Sequence, residues 1–181
     1  MSIQLTNDVK RVKVDNREVI FGPIEKLKDE FEEDEIIYVG NKSSSKIHFP
    51  LKDSTLLPFE NFKRALKVGR LFYKIRRRVV YACDAGCGRS GSLAIATLSY
   101  LGRVDLVKKL WELGCPETEI QLVVSVLAGL VLREMGTEAL DMLDYSEACG
   151  SYSIFLGNKP IKEVLGGLFD EVEGILGTHE L

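Results

Sequence analysis

The order of apolar runs in this 181-residue chain predicts an α/β fold, a central and mainly parallel sheet flanked by helices on both faces. Three observations carry that expectation. Short β-rich runs (17–22, 36–40 and 79–82) are spaced along the chain and separated by stretches of helical period. Two of those stretches, 59–75 and 117–135, are long and carry apolar residues enough to cover a sheet. At 45% hydrophobic residues, one ordinary globular core is expected, with a modest extension.

Taken in order, Val9–Val14 and Arg17–Gly22 flank Asp15-Asn16 and predict an N-terminal hairpin. Gly22-Pro23 opens a helix with Ile24, Leu27 and Phe31 on one face; the acidic string 30–35 reads as its solvated end. Ile36–Gly40 is a buried strand, closed by the polar turn 41–45. Lys46–Phe49 is a short strand stopped by Pro50. Phe59, Phe62, Leu66 and Phe72 or Tyr73 mark the inner face of the next helix. Strand 79–82 follows, then the loop 83–91 and an apolar helix closed by Gly102. A short helix over 105–113 stops at Gly114-Cys115-Pro116, and 117–135 reads as a deeply buried helix. Beyond Gly136 a short helix over 138–145 and a loop at 150–153 are expected. Pro160 then starts a helix whose Ile161, Val164, Leu165, Leu168, Val172 and Ile175 share one face. The expected division is a domain over 1–136 and a helical C-terminal extension over 137–181 packed on it.

The loop Cys83-Asp84-Ala85-Gly86-Cys87-Gly88-Arg89-Ser90-Gly91 organises the chain. A strand, a glycine-bearing loop and a helix N-terminus together build an anion pocket from converging amides and the helix dipole. A thiol held against such amides and a guanidinium ionises well below the ordinary cysteine range and becomes a nucleophile beside a bound phosphate. Cys-x5-Arg alone is a weak signal. Glycine three residues after the cysteine, serine after the arginine, a strand before and a helix after make it strong.

Cys83–Ser90 resembles the C-x2-G-x2-R-S loop of the cysteine-dependent protein tyrosine phosphatases, and the chain length suits their dual-specificity branch. The resemblance covers roughly residues 17–135. It implies Cys83 as nucleophile, Arg89 as the fork on two phosphoryl oxygens, and Ser90 as donor to the departing thiolate. It further implies a cradle of Asp84, Ala85, Gly86, Cys87, Gly88 and Arg89, and an upstream aspartate as general acid. Phe49-Pro50-Leu51-Lys52-Asp53 is similar to the family's acid loop, thirty residues before the cysteine, so Asp53 is the candidate and Glu60 the reserve. Gln121 lies in a Glu-Thr…Gln segment similar to one that, in larger relatives, helps place the hydrolytic water; its pattern position reads as a solvent-facing helix residue.

Departures from the family pattern bear on activity. The family usually has histidine before the cysteine; here that residue is Ala82, so weakened rather than lost activity is expected. Asp84 would repel extra phosphates and argues against multiply phosphorylated inositols. Cys87 reads as a small loop filler, with a Cys83–Cys87 disulfide as the alternative.

Composition narrows the remaining classes. The first residues lack a basic region followed by an apolar stretch, so no export leader is expected. With four cysteines (83, 87, 115 and 149), this points to a cytoplasmic, reducing setting with free thiols. Two histidines, His48 and His179, leave little room for a histidine-rich metal centre or a Ser-His-Asp triad, so no metal and no cofactor are expected. Residues 46–78 hold ten basic side chains against two acidic, a balance of +8. They either steer phosphorylated substrates or form a solvated helix face.

These readings predict a metal-independent phosphatase acting on phosphotyrosine through a phosphocysteine, with phosphoserine and phosphothreonine left open. Its expected partner is a phosphorylated protein, with no membrane and no nucleic acid; oligomeric state is left unassigned. The alternatives are an impaired phosphate-binding module of the same fold, a phosphatase of RNA 5′ ends or nucleotides, and a redox or structural protein.

Overall fold

The N-terminal hairpin forms where apolar alternation and turn residues place it. In the computed structural model, which describes residues 3–42, 44–148 and 151–176, β2 (Val9–Val14) pairs antiparallel with β3 (Arg17–Pro23) across the Asp15-Asn16 turn. Asp15 adopts the left-handed conformation that such tight turns require. A further strand, β1 (Ile3–Thr6), which sequence patterning did not indicate, joins β2 through Asn7-Asp8, both at positive φ. After the short helix α1 (Ile24–Leu27) come β4 (Ile36–Tyr38), α2 (Phe59–Arg76) and β5 (Arg78–Cys83).

The five strands lie in the order β1-β2-β3-β5-β4. Pairs β3–β5 and β4–β5 are parallel, and the two N-terminal pairs are antiparallel. The sheet is therefore mixed, not mainly parallel as expected. Two-residue turns can connect only antiparallel neighbours, and the first three strands are joined by nothing longer.

Helix cover is also lopsided. One face carries Val12, Val14, Val19, Phe21, Ile37, Val39, Val79 and Tyr81 in a single core with α2, α3 (Arg89–Tyr100), α4 (Val104–Glu112) and α5 (Glu119–Met135). Among the described residues, the other face, with Val9, Ile20, Ile36, Tyr38, Val80 and Ala82, packs its apolar side chains against Ile24, Leu27 and Phe31 alone. The amphipathic run after Pro23 keeps its buried face but is helical for only four residues. Residues 46–49 likewise make no strand; His48 forms a single parallel bridge to Tyr38. Helices α3 and α5 pack closely because Gly129 faces the Ala96 carbonyl, where a Cβ could not fit.

The chain beyond Gly136 differs from the helical extension expected. Helix α6 (Thr137–Met142) leads into a three-stranded antiparallel sheet, β6 (Leu143–Ala148), β7 (Ser151–Leu156) and β8 (Lys159–Pro160). Helices α7 (Ile161–Leu165) and α8 (Gly167–Leu176) follow, separated at Gly166, which has positive φ. Leu140, Leu143, Tyr145, Ile154, Leu156, Ile161, Leu165 and Val172 join the main core. Lys63 pins the junction: its buried Nζ donates to the carbonyls of Asp141 at 3.0 Å and Leu143 at 2.9 Å, and lies 2.8 Å from the Glu60 carboxylate. Tyr145 packs edge-on against Phe59, 5.1 Å between centroids. No helix among the described residues is long and apolar enough to cross a membrane.

Candidate functional site

Strand β5 delivers Cys83 to its C-terminal end, and the chain turns through 84–88 into the N-terminus of α3. The turn is tight because Gly86 sits at φ +90° against Pro23, the residue paired with Cys83 across the sheet; a Cβ at Gly86 would strike the proline ring. The Cys83 thiol is buried, and its Sγ lies 3.1 Å from both the Gly86 amide nitrogen, which donates to it, and the Ser90 Oγ.

Arg89 is 3% exposed. Its Nη1 donates to Asn41 Oδ1 at 2.6 Å and to the Leu51 carbonyl at 3.0 Å, while Nη2 donates to Asp84 Oδ2 at 3.2 Å. None of these three bonds uses Nε. The Nε–Nη2 edge is the side of a guanidinium that matches two oxygens of one phosphoryl group.

The Asp84 carboxylate is tied into the protein on several sides. It accepts from the Tyr38 hydroxyl, from the Asn41 amide at 2.8 Å and from the Lys42 amide at 3.4 Å, besides Arg89. Burial alone would push this carboxyl up, but the Asn41 amide, the Tyr38 hydroxyl, the Arg89 guanidinium and the Lys42 amide outweigh it. They hold it below the usual carboxylate range. Asp84 is thus a fixed anion that orients Arg89 and ties the 41–42 turn to the loop.

Asp53 comes to the site from the loop after Pro50. Its carboxylate lies 3.7 Å from Arg89 Nη2, is 76% exposed, and accepts from the Ser54 amide at 3.0 Å. Cys83 thus meets Ser90, and Arg89 meets Asp53, while the loop residues Asp84, Ala85, Gly86, Cys87 and Gly88 bridge Cys83 to α3. The reserve carboxylate, Glu60, is engaged by Lys63.

Gln121 is fully buried, not solvent-facing. It closes a capping box on α5: its amide donates to Thr118 Oγ1 at 3.1 Å, and its Oε1 accepts from the Thr118 and Glu117 amides, each at 3.2 Å. Its Nε2 has no partner among the described residues and lies 3.3 Å from where a Cβ on Gly88 would be. The exposed Glu117 carboxylate borders Gly88 as well.

The thiols differ from expectation. Cys87 is bonded to Cys115, not to Cys83, and Cys83 is free; Cys149 lies outside the described residues. The bond fastens the rim of the loop to the segment that carries Glu117 and Gln121. Two arginines of the basic stretch, Arg76 and Arg78, are engaged away from the loop. Arg78 begins the strand that Cys83 ends, about 16 Å away at strand rise, and its guanidinium pairs with Glu35 at 2.7 Å. Arg76 donates to the Asp34 carbonyl at 2.7 Å. Among the described residues, no three His, Cys, Asp or Glu side chains converge as a metal site.

No family model matches the chain, and no curated protein matches its sequence.

Sequence reasoning missed Asn41, Tyr38, Cys115 and Lys10. Asn41 was legible only as part of a polar turn, and nothing local signals that it grips Arg89. Lys10, on β2, donates from Nζ to the Gly86 carbonyl at 3.3 Å.

Proposed function

We propose that the chain is a metal-independent, cysteine-dependent phosphatase of the protein tyrosine phosphatase type, hydrolysing phosphotyrosine, with phosphoserine and phosphothreonine as the further candidates. The observation that carries this reading is the free Cys83 sulfur held between the Gly86 amide and the Ser90 hydroxyl at the head of α3, the helix that also carries Arg89, whose guanidinium faces Asp53.

In this reading the Cys83 sulfur attacks phosphorus, forming an S–P bond as the P–O bond to the leaving group breaks. The loop amides and the Nε–Nη2 edge of Arg89 take the charge on the equatorial oxygens. Asp53 gives its proton to the leaving oxygen, and its exposure suits a group that must reach a substrate entering from solvent. Water then attacks the phosphocysteine, gives its proton to Asp53, and releases phosphate and the thiolate, to which Ser90 donates. The unpartnered Gln121 Nε2 beside Gly88 is placed to hold that water. Asn41, Leu51 and Asp84 keep Arg89 in position before substrate arrives.

A second reading, a phosphate-binding module with impaired turnover, is favoured by Ala82, which places no imidazole beside the thiol. One assay tests both: hydrolysis of p-nitrophenyl phosphate in chelator by the wild type, Cys83→Ser and Asp53→Asn. Turnover lost in Cys83→Ser supports the enzyme. No turnover by the wild type, with phosphate still bound, supports the module. Turnover surviving Cys83→Ser overturns the mechanism. Phosphotyrosine and phosphothreonine peptides and 5′-phosphorylated RNA then rank substrates.

A further inference from the structure

The phosphatase reading leaves the Cys83 thiol with one fewer cation than its family pattern supplies, and the fold brings another from a different strand. Lys10 pairs with Phe21 across β2–β3, and Phe21 with Tyr81 across β3–β5. The three form one row on a single face of the sheet, and Cys83, two residues after Tyr81, lies on that face. Lys10 Nζ donates to the Gly86 carbonyl at 3.3 Å and stands 5.6 Å from the centroid of the Phe21 ring. The Gly86 amide is the group that donates to Cys83 Sγ.

We propose that Lys10 is a positioning residue for this site: its ammonium braces the 83–89 loop through the Gly86 carbonyl and supplies the positive field at Cys83 that Ala82 does not. The ammonium can act through its charge as well as by bracing the loop. In a planar trans peptide the carbonyl and the following amide point in opposite directions. A cation on the Gly86 carbonyl therefore polarises the Cys87 N–H on the far side of the same peptide. The ammonium is also half-buried, where a charge acts over several ångströms with little screening. Burial lowers its proton affinity, while Asp8 in the preceding turn and Cys83 both raise it.

This proposal rests on Cys83 being the working nucleophile of the proposed phosphatase, but its test does not require turnover. The rate at which iodoacetamide alkylates Cys83 is followed by mass spectrometry of its peptide, at pH 6 and pH 9.5, in the wild type, Lys10→Met, Lys10→Gln and Lys10→Arg. Asp8, Asp53, Asp84 and Arg89 are common to all four proteins, so differences report on residue 10. Both neutral variants are expected to react about fivefold more slowly at pH 6 and to match the wild type at pH 9.5, a pH above the ordinary cysteine range; Lys10→Arg is expected to keep at least half the wild-type rate at pH 6. Equal rates at pH 6 overturn the proposal. So does equal slowing at both pH values, which would mean a mechanical role, and so does Lys10→Arg as slow as Lys10→Met. Lys10→Gln keeps a hydrogen-bond donor without charge, and it makes the same comparison if Lys10→Met folds poorly. Absence of p-nitrophenyl phosphate turnover by the wild type would count against the phosphatase and leave the alkylation comparison intact.

Discussion

Arg89 Nη2 stands 3.7 Å from the Asp53 carboxylate, which reaches it from the loop between Pro50 and α2. The two belong to different local structures and meet only because β4 and β5 are parallel neighbours, so their C-terminal ends open on the same edge of the sheet.

For Asp53→Asn, kcat is expected to fall about 100-fold or more on a phosphotyrosine peptide, the scale of lost proton donation. On p-nitrophenyl phosphate, whose leaving group needs less help, the loss is expected to be several times smaller. Steady-state rates on the two substrates check this; equal losses would deny Asp53 the role of acid.

Replacing Arg89 by lysine is expected to lower kcat/KM by about 100-fold or more, since an ammonium cannot present two parallel donors to one phosphoryl group. The same change breaks the bonds to Asn41, Leu51 and Asp84. A lower Tm, read by circular dichroism, is therefore expected alongside the kinetic loss.

For Gln121→Ala, two effects are expected to separate. Loss of half the capping box should cost about 1 kcal/mol in urea denaturation. Loss of Nε2 beside Gly88 should slow hydrolysis of the phosphocysteine more than its formation, giving a burst of p-nitrophenol in rapid mixing. Destabilisation without a burst would leave Gln121 a cap only.

Asp84 links stability to pH. Its carboxyl is held below the ordinary range, so its contribution is fully present above about pH 4 and is lost as pH falls through the depressed value. Asp84→Asn is expected to destabilise the protein by about 3 kcal/mol at pH 7, the scale of breaking a buried ion pair. The gap from wild type should narrow on acidification below pH 4. Urea titrations at pH 7 and pH 3 check the sign.

The Cys87–Cys115 bond closes a loop of 28 residues, for which chain entropy gives about 3.5 kcal/mol. A dithiol reductant, or Cys115→Ser, is expected to lower Tm by several degrees while Cys83 stays free to react. A Tm unaffected by reductant would show that the bond is not formed in solution.

Much of the site was legible in one stretch of sequence, because the cradle is local. Strand, loop and helix N-terminus are contiguous, so Cys83 and Ser90 meet through backbone geometry alone. The Phe49–Asp53 pattern made Asp53 a candidate, and the fold sets its carboxylate 3.7 Å from Arg89 Nη2. The partners of Arg89 were not legible: Asn41 and Leu51 reach it through strand order, and a polar turn looks the same wherever it lands.

The sequence by itself therefore determined the N-terminal hairpin, the long helices α2 and α5, and the residues that line the 83–91 loop. Each rests on periodicity or turn chemistry within a few neighbours. Only the tertiary structure decided that half the sheet is antiparallel, that Cys87 takes Cys115 as its partner, that Gln121 turns inward, and that Lys10 backs Gly86. The physical reason is the same in each case. Strand pairing and side-chain contact bring together residues far apart along the chain, and no local pattern carries that information.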